Sequence, residues 1–196
     1  MDLPIFEVQA IHDNELTAVA LVDRPAIERC WMSFSEQKQV KLSANEARHI
    51  VTGPLLIPDQ LIYRDQGGMK FYLKYSAQSI EQLMLDFMAN KRTGEINLMH
   101  NEEAKPEGVF IFEIFQSDES RGIKAPSQFE DLPDGTLYAS AKINNPETWE
   151  AIQSGKLTGF SIEAWVHPVE VEQVDYDLAV EFCQLVQAYV NRVNAR

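Results

Sequence analysis

Short apolar blocks, alternating or continuous, recur along the chain and are separated by turn residues. From Ile5 to Ile11, Ile5, Glu7, Gln9 and Ile11 alternate with Phe6, Val8 and Ala10, which predicts a strand. Asp13-Asn14 predicts a turn, and the almost wholly apolar run Leu16 to Val22 predicts a central strand. Asp23-Arg24-Pro25-Ala26 ends it, because proline cannot donate to a ladder. Trp31 to Phe34 reads as a further short strand, and Ser43-Ala44-Asn45-Glu46 has the spacing of a capping box, predicting a short helix. Val51 to Ile57, interrupted by Gly53-Pro54, leads through Asp59 to Arg64 towards Gly67-Gly68. Lys70 to Tyr75 then alternates back, so residues 55–75 predict a β-hairpin.

In the second half the period changes. Ser79-Ile80-Glu81-Gln82 is another capping box, and Ile80, Leu83, Met84, Phe87 and Met88 recur at helical spacing, predicting an amphipathic helix over 79–90 with methionines as core filler. Thr93-Gly94 stops it, and Glu95 to His100 leads into a strand or strand end. Gly108 to Phe115 is strongly β-forming, residues 117–135 form the longest loop, and Thr136 to Ile143 is a strand. Asn145-Pro146-Glu147 begins a helix that ends at Ser154-Gly155. Gly155 to Val166 passes from a turn into an alternating strand, and residues 175–195 carry an apolar stripe from Leu178 to Val193. These elements predict an α+β fold: a mainly antiparallel β-barrel with flanking helices over 1–172, followed by an amphipathic helix over 173–196.

Composition narrows the class. The 196 residues suffice for one cored domain with an appendage, and 45% hydrophobic with 24% charged residues fits a soluble globular protein. A net charge of −13 argues against nucleic-acid binding, which needs a basic face, and leaves room for a basic partner. Cys30 and Cys183 match no metal spacing and read as buried thiols. Met1 to Ile5 lacks the basic and apolar regions of a signal peptide, and no run approaches the ~20 apolar residues of a membrane span.

Candidate chemistry concentrates in the stretch from Gly155 to Val166. Phe160, Ile162 and Ala164 face one way and Ser161, Glu163 and Trp165 the other, so a serine and a glutamate share a sheet face. They are either polar residues of a surface strand or part of a nucleophilic site, in which case Ser161 needs a base from elsewhere. Of the four histidines, His12 lies in a turn and His49 on the short helix, while His167 is six residues along the same strand. His100 sits at a strand end, where a neighbouring strand could present it. His100-Asn101-Glu102-Glu103 is the one metal-like cluster and lacks helical His spacing, and no phosphate-binding loop occurs.

Gly159-Phe160-Ser161-Ile162-Glu163, Met99-His100-Asn101 and the segment from Leu56 to Arg64, in that order and spacing, resemble the XkdF-like phage prohead serine proteases. These are relatives of the larger prohead group and more distantly of herpesvirus assemblin. The likeness covers roughly residues 5–170. It implies Ser161 as nucleophile and His100, followed by Asn101, as base. It also implies a barrel of the assemblin type, circularly rearranged, because Val19 to Ala26 resembles a segment that in those proteases follows the serine strand. The acid that precedes that segment in the wider group is replaced here by Ala18. Glu163 is the first choice for a third member; Glu15, Asp23 and Glu113 follow, and a dyad is also workable. Gly155 and Gly159 supply mobile backbone near Ser161, without placing an oxyanion hole.

The implied function is an endopeptidase that cleaves scaffold and major capsid protein precursors inside the immature prohead, in the host cytoplasm. No cofactor, metal, nucleic acid or membrane is implied, and a homo-oligomer stays open. The alternative is a catalytically silent capsid-assembly protein that keeps the fold, for which the C-terminal stripe offers a partner surface.

Overall fold

The computed structural model describes residues 3–11, 13–23, 43–45 and 48–171. The segment containing Trp31, His12, Cys30, Cys183 and the amphipathic stripe of 175–195 lie outside the described residues. The strands are β1 (Ile5–Val8), β2 (Glu15–Val22), β3 (Ser43–Asn45), β4 (Ile50–Leu56), β5 (Ile62–Gln66), β6 (Met69–Tyr75), β7 (Ile96–Leu98), β8 (Val109–Gln116), β9 (Leu137–Ile143), β10 (Gly159–Trp165) and β11 (Pro168–Val171). The helices are α1 (Ala77–Ala89) and α2 (Pro146–Gln153).

The fold is α+β, but the strands lie in three open sheets and no closed barrel forms among the described residues. Their orders are β11-β1-β6-β5, β10-β2-β7 and β3-β4-β9-β8. Most neighbours are antiparallel; β1 with β6 and β2 with β7 are parallel. The two parallel pairings join segments far apart in the chain, and the sheets end at β5, β7 and β8 instead of closing on one another. One core nevertheless serves all three sheets. Val19, Leu21 and Phe160 meet Val51 and Leu55 of β4, Leu137 and Ile143 of β9, Leu73 of β6, and Ile80, Leu83 and Phe87 of α1.

Local departures from the sequence reading have local causes. Ser43 to Asn45 pairs with Thr52 to Ile50 as an antiparallel strand, not a helix. The hairpin is confined to β5 and β6 about Gly67-Gly68, whereas β4 belongs to another sheet and pairs with β9. Pro54 marks an irregularity there, with the register shifting between Pro54 and Leu56. Helix α1 starts one turn early. Its cap is Ser76, whose Oγ accepts from Ser79 N at 3.1 Å, and Ser79 turns inward and donates back to the Ser76 carbonyl. Burial of Ile80, Leu83 and Phe87 contributes about 1.5–3 kcal/mol each, more than the ~1 kcal/mol of a cap, so packing governs this helix. Met84 packs on the core, but Met88 is about half exposed. Asn145 caps α2 as its sequence predicts, accepting from Thr148 N at 2.9 Å with Pro146 at the first turn.

Candidate active site

The turn after α2 delivers the chain to β10. Gly155 adopts φ +74°, the left-handed geometry that ends helices, and Thr158 N donates to Val22 O at 2.8 Å, starting the pairing of β10 with β2. Phe160 enters the core, so Ser161 must face the opposite side. There it pairs with Ala20, and Ala20 pairs in turn with Asn97 of β7. Ser161, Ala20 and Asn97 thus form one row across three strands. Glu163 stands one step along the same face, opposite Ala18. Just beyond it the register slips between Glu163 and Ala164, leaving Thr17 as the extra residue, and Thr17 Oγ1 donates to the Glu163 carbonyl at 2.9 Å.

Glu163 reaches over β2. Its Oε1 accepts from Asn97 Nδ2 at 2.7 Å and meets His100 Nδ1 at 3.1 Å. Adjacent strands are about 4.8 Å apart, so the carboxylate spans roughly 10 Å between β10 and β7 with its partners' help. The β2 residues at these register positions are alanines, Ala18 opposite Glu163 and Ala20 between Ser161 and Asn97. A longer side chain at either position would occupy that span.

His100 is aimed by a tight turn. Asn101 N donates to Leu98 O at 3.0 Å, and the two central residues, Met99 and His100, have φ of 55° and 58°. Such turns favour Gly, Asn or Asp, because a side chain at positive φ crowds the following carbonyl. The turn is fastened by Met99 N to Leu21 O at 2.9 Å and by Leu98 N to Ala104 O at 3.0 Å. Strain held at a non-glycine pair beside a cluster of polar side chains is a common mark of a functional site. An ionised carboxylate only accepts hydrogen bonds, so the His100 tautomer that suits this contact carries its proton on Nδ1.

Around this cluster, Ser161 is 5% exposed, Asn97 is 1% exposed, and His100 and Glu163 are partly open to solvent. The Asn97 Oδ1 atom is buried without a partner. Nearby, the Lys105 ammonium lies 2.5 Å from Glu95 Oε2, and that bond holds it above its usual titration range. Among the described residues no hydrogen bond joins Ser161 to His100; the structure brings His100 to Glu163 and leaves Ser161 beside them on the same face.

Of the other candidates, Glu15 Oε2 is 3.0 Å from Arg92 and Glu113 is exposed on β8 in a different sheet, while Asp23 lies against the His100 turn through its backbone, its N donating to Met99 Sδ at 3.4 Å and its carbonyl accepting from Thr158 Oγ1 at 2.7 Å. His49 stacks on Trp149 with ring centroids 4.5 Å apart, and His167 N donates to Asn14 Oδ1 at 2.8 Å. No three His, Cys, Asp or Glu side chains among the described residues are grouped to hold a metal ion, and no described helix is long and apolar enough to cross a membrane. Asn97 was not singled out by the sequence. Its signal is a polar residue between Ile96 and Leu98, in a short strand that ends at the His100 turn.

This is an α+β protein with a serine and a glutamate on one face of a three-stranded sheet and a histidine of the adjoining turn against the glutamate. Residues 39–170 match the family model described as "Putative phage serine protease XkdF", and the chain belongs to that family. The matched segment contains β7 and β10 but not β2, the strand between them, which comes from residues 15–22. No curated protein and no solved structure matches the chain.

Proposed function

We propose that this protein is a serine endopeptidase in which Ser161 is the nucleophile, His100 the general base and Glu163 the residue that orients the imidazole. The observation that carries the reading is the Glu163 contact on His100 Nδ1, made from the strand face that also bears Ser161. In the proposed reaction, His100 Nε2 takes the Ser161 proton as Oγ attacks the scissile carbonyl, and then passes it to the departing amine. Water then hydrolyses the acyl-enzyme by the same proton path. Glu163 stabilises the imidazolium formed in both steps. The hydrogen bond between serine and base is often long in a free enzyme and tightens around substrate.

Family membership supports a phage protease, and the substrates proposed are scaffold and major capsid protein precursors cut inside the immature prohead. Co-expression of the protein with its scaffold and capsid precursors tests this. Truncated products should appear with the native chain and vanish with Ser161→Ala.

A second reading, a catalytically silent assembly protein, draws on the burial of Ser161 and its lack of a hydrogen bond to His100. Labelling with a fluorophosphonate separates the two. An active enzyme is modified at Ser161, whereas a silent one stays unlabelled and leaves the precursors intact.

A further inference from the structure

Next to the Ser161 face lies a cleft of about 530 Å³ that Glu163 lines in part. One wall is the stretch from Ile162 to Val166, along the edge of β10 away from β2; among the described residues no strand pairs with that edge. The opposite wall is one face of the β5–β6 hairpin, where Arg64, Phe71, Leu73 and Tyr75 project together because Arg64 pairs with Phe71 in register. Trp165, 75% exposed, stands at the rim. An unpaired strand edge facing an apolar wall suits an extended peptide, which can add to the edge through its main chain and place alternate side chains in the cleft.

Arg64 is the anomaly of this cleft. The chain carries 30 acidic residues against 17 basic ones, and Lys74, Arg92, Lys105 and Arg121 each meet a carboxylate. Among the described residues Arg64 does not: its Nη1 donates to its neighbour's carbonyl, Tyr63 O, at 3.2 Å. It is also partly desolvated, and burial pulls its titration below the usual guanidinium range, with the phenol of Tyr75 opposing. A guanidinium withdrawn from water without a carboxylate is costly unless something completes it. Glu102 and Glu163 line the same cleft, but Glu163 is committed to Asn97 and His100. The donors of Arg64 left over have the fork geometry that fits a carboxylate in two parallel bonds.

We infer that this cleft binds an extended peptide along the β10 edge and that Arg64 receives an aspartate or glutamate side chain of that peptide. The inference rests on the protease reading in taking the peptide to be substrate, so the site would select acidic residues near the cut. Binding can be measured without cleavage. Full-length Ser161→Ala protein would be titrated with fluorescent, capped alanine octapeptides bearing one glutamate stepped through each position, and with their glutamine and lysine counterparts.

At one position glutamate should bind roughly tenfold or more tightly than glutamine. That preference should disappear in Arg64→Gln, persist in weakened form in Arg64→Lys, and turn towards lysine in Arg64→Glu. Circular dichroism of each variant shows that the fold is kept. Equal affinities for glutamate and glutamine, no binding of any peptide, or an acidic preference that survives Arg64→Gln would each overturn the inference. Cleavage of precursors by the native chain without acidic preference would sink this inference and leave the protease reading standing. Acidic preference without any cleavage would do the reverse.

Discussion

Asn97 and His100 share a single oxygen of Glu163. Nδ2 of Asn97 lies 2.7 Å from Oε1, and Nδ1 of His100 lies 3.1 Å from the same atom. The nearly fully buried amide therefore holds the carboxylate in place from within the sheet, while the more exposed imidazole meets it from the turn. Oε1 has to act as acceptor towards the amide, which keeps it an acceptor towards His100 as well.

Asn97 is accordingly a positioning residue. Asn97→Ala should lower kcat by about tenfold or more with little change in KM, since it frees the carboxylate that stabilises the imidazolium only during reaction. Asn97→Asp should do worse, because it sets a second carboxylate beside the first. The kcat and KM values of both variants, on any precursor that the native chain cleaves, check this. A loss confined to KM would instead make Asn97 a substrate contact.

Glu163→Gln should reduce turnover by roughly 10²–10⁴-fold while leaving peptide binding nearly unchanged, because the amide no longer favours the imidazolium and can present the wrong group to Nδ1. Single-turnover acylation kinetics would read this directly. Retention of full turnover would leave His100 and Ser161 as a dyad or turn the role to Asp23, beside the His100 turn, since Glu15 is held by Arg92 and Glu113 lies on another sheet.

The turn that aims His100 sets stability against activity. His100→Asn places a residue tolerant of positive φ where a histidine now sits at 58°, relieving strain of about 1 kcal/mol. A melting temperature unchanged or raised by about 2–4 °C, together with loss of turnover, is expected. A clear fall in melting temperature would show that the His100 contact with Glu163 outweighs the strain.

Gly135 supplies a purely structural prediction. Its φ is +86°, and a Cβ there would lie 2.7 Å from the Ala77 Cβ at the start of α1. Its carbonyl also accepts from Gln116 Nε2 at 2.8 Å, so the loop cannot move away freely. Gly135→Ala should destabilise by about 2–3 kcal/mol, combining an unfavourable φ with overpacking. Urea denaturation would show the loss as a lower midpoint at constant slope.

The common face of Ser161 and Glu163 was legible because period-two alternation is a local property of a strand. For the same reason β2, β8, β9, both helices and the Asn145 cap lie close to where the pattern puts them. Pairing partners were not legible. The contact of Glu163 with His100 depends on β2 lying between β10 and β7, and that arrangement joins residues 15–22, 96–98 and 159–165. No hydrophobic period encodes such an order, so an expected barrel became three open sheets and Val51 to Leu56 joined β9 instead of the hairpin. Ser76 caps α1 although the capping-box spacing belongs to Ser79 and Gln82 one turn later; Ser79 instead turns inward and donates to the Ser76 carbonyl.

Ala18 gives the sharpest test of how the carboxylate reaches the imidazole. It stands directly opposite Glu163 on the shared face, on the strand next to β7, so a carboxylate grown from it would start one strand closer to His100. Ala18→Val alone should lower turnover by about tenfold, because its added methyl groups stand under the path that Glu163 takes to Asn97 and His100. In the Glu163→Ala background, Ala18→Glu should restore a measurable part of the lost turnover, whereas Ala18→Gln should restore none. The comparison controls for bulk, since Glu and Gln differ in charge far more than in shape. If the glutamate and glutamine variants are equally inactive while both remain folded, the carboxylate works only from β10, and the reach of Glu163 over the two alanines is specific to this arrangement of strands.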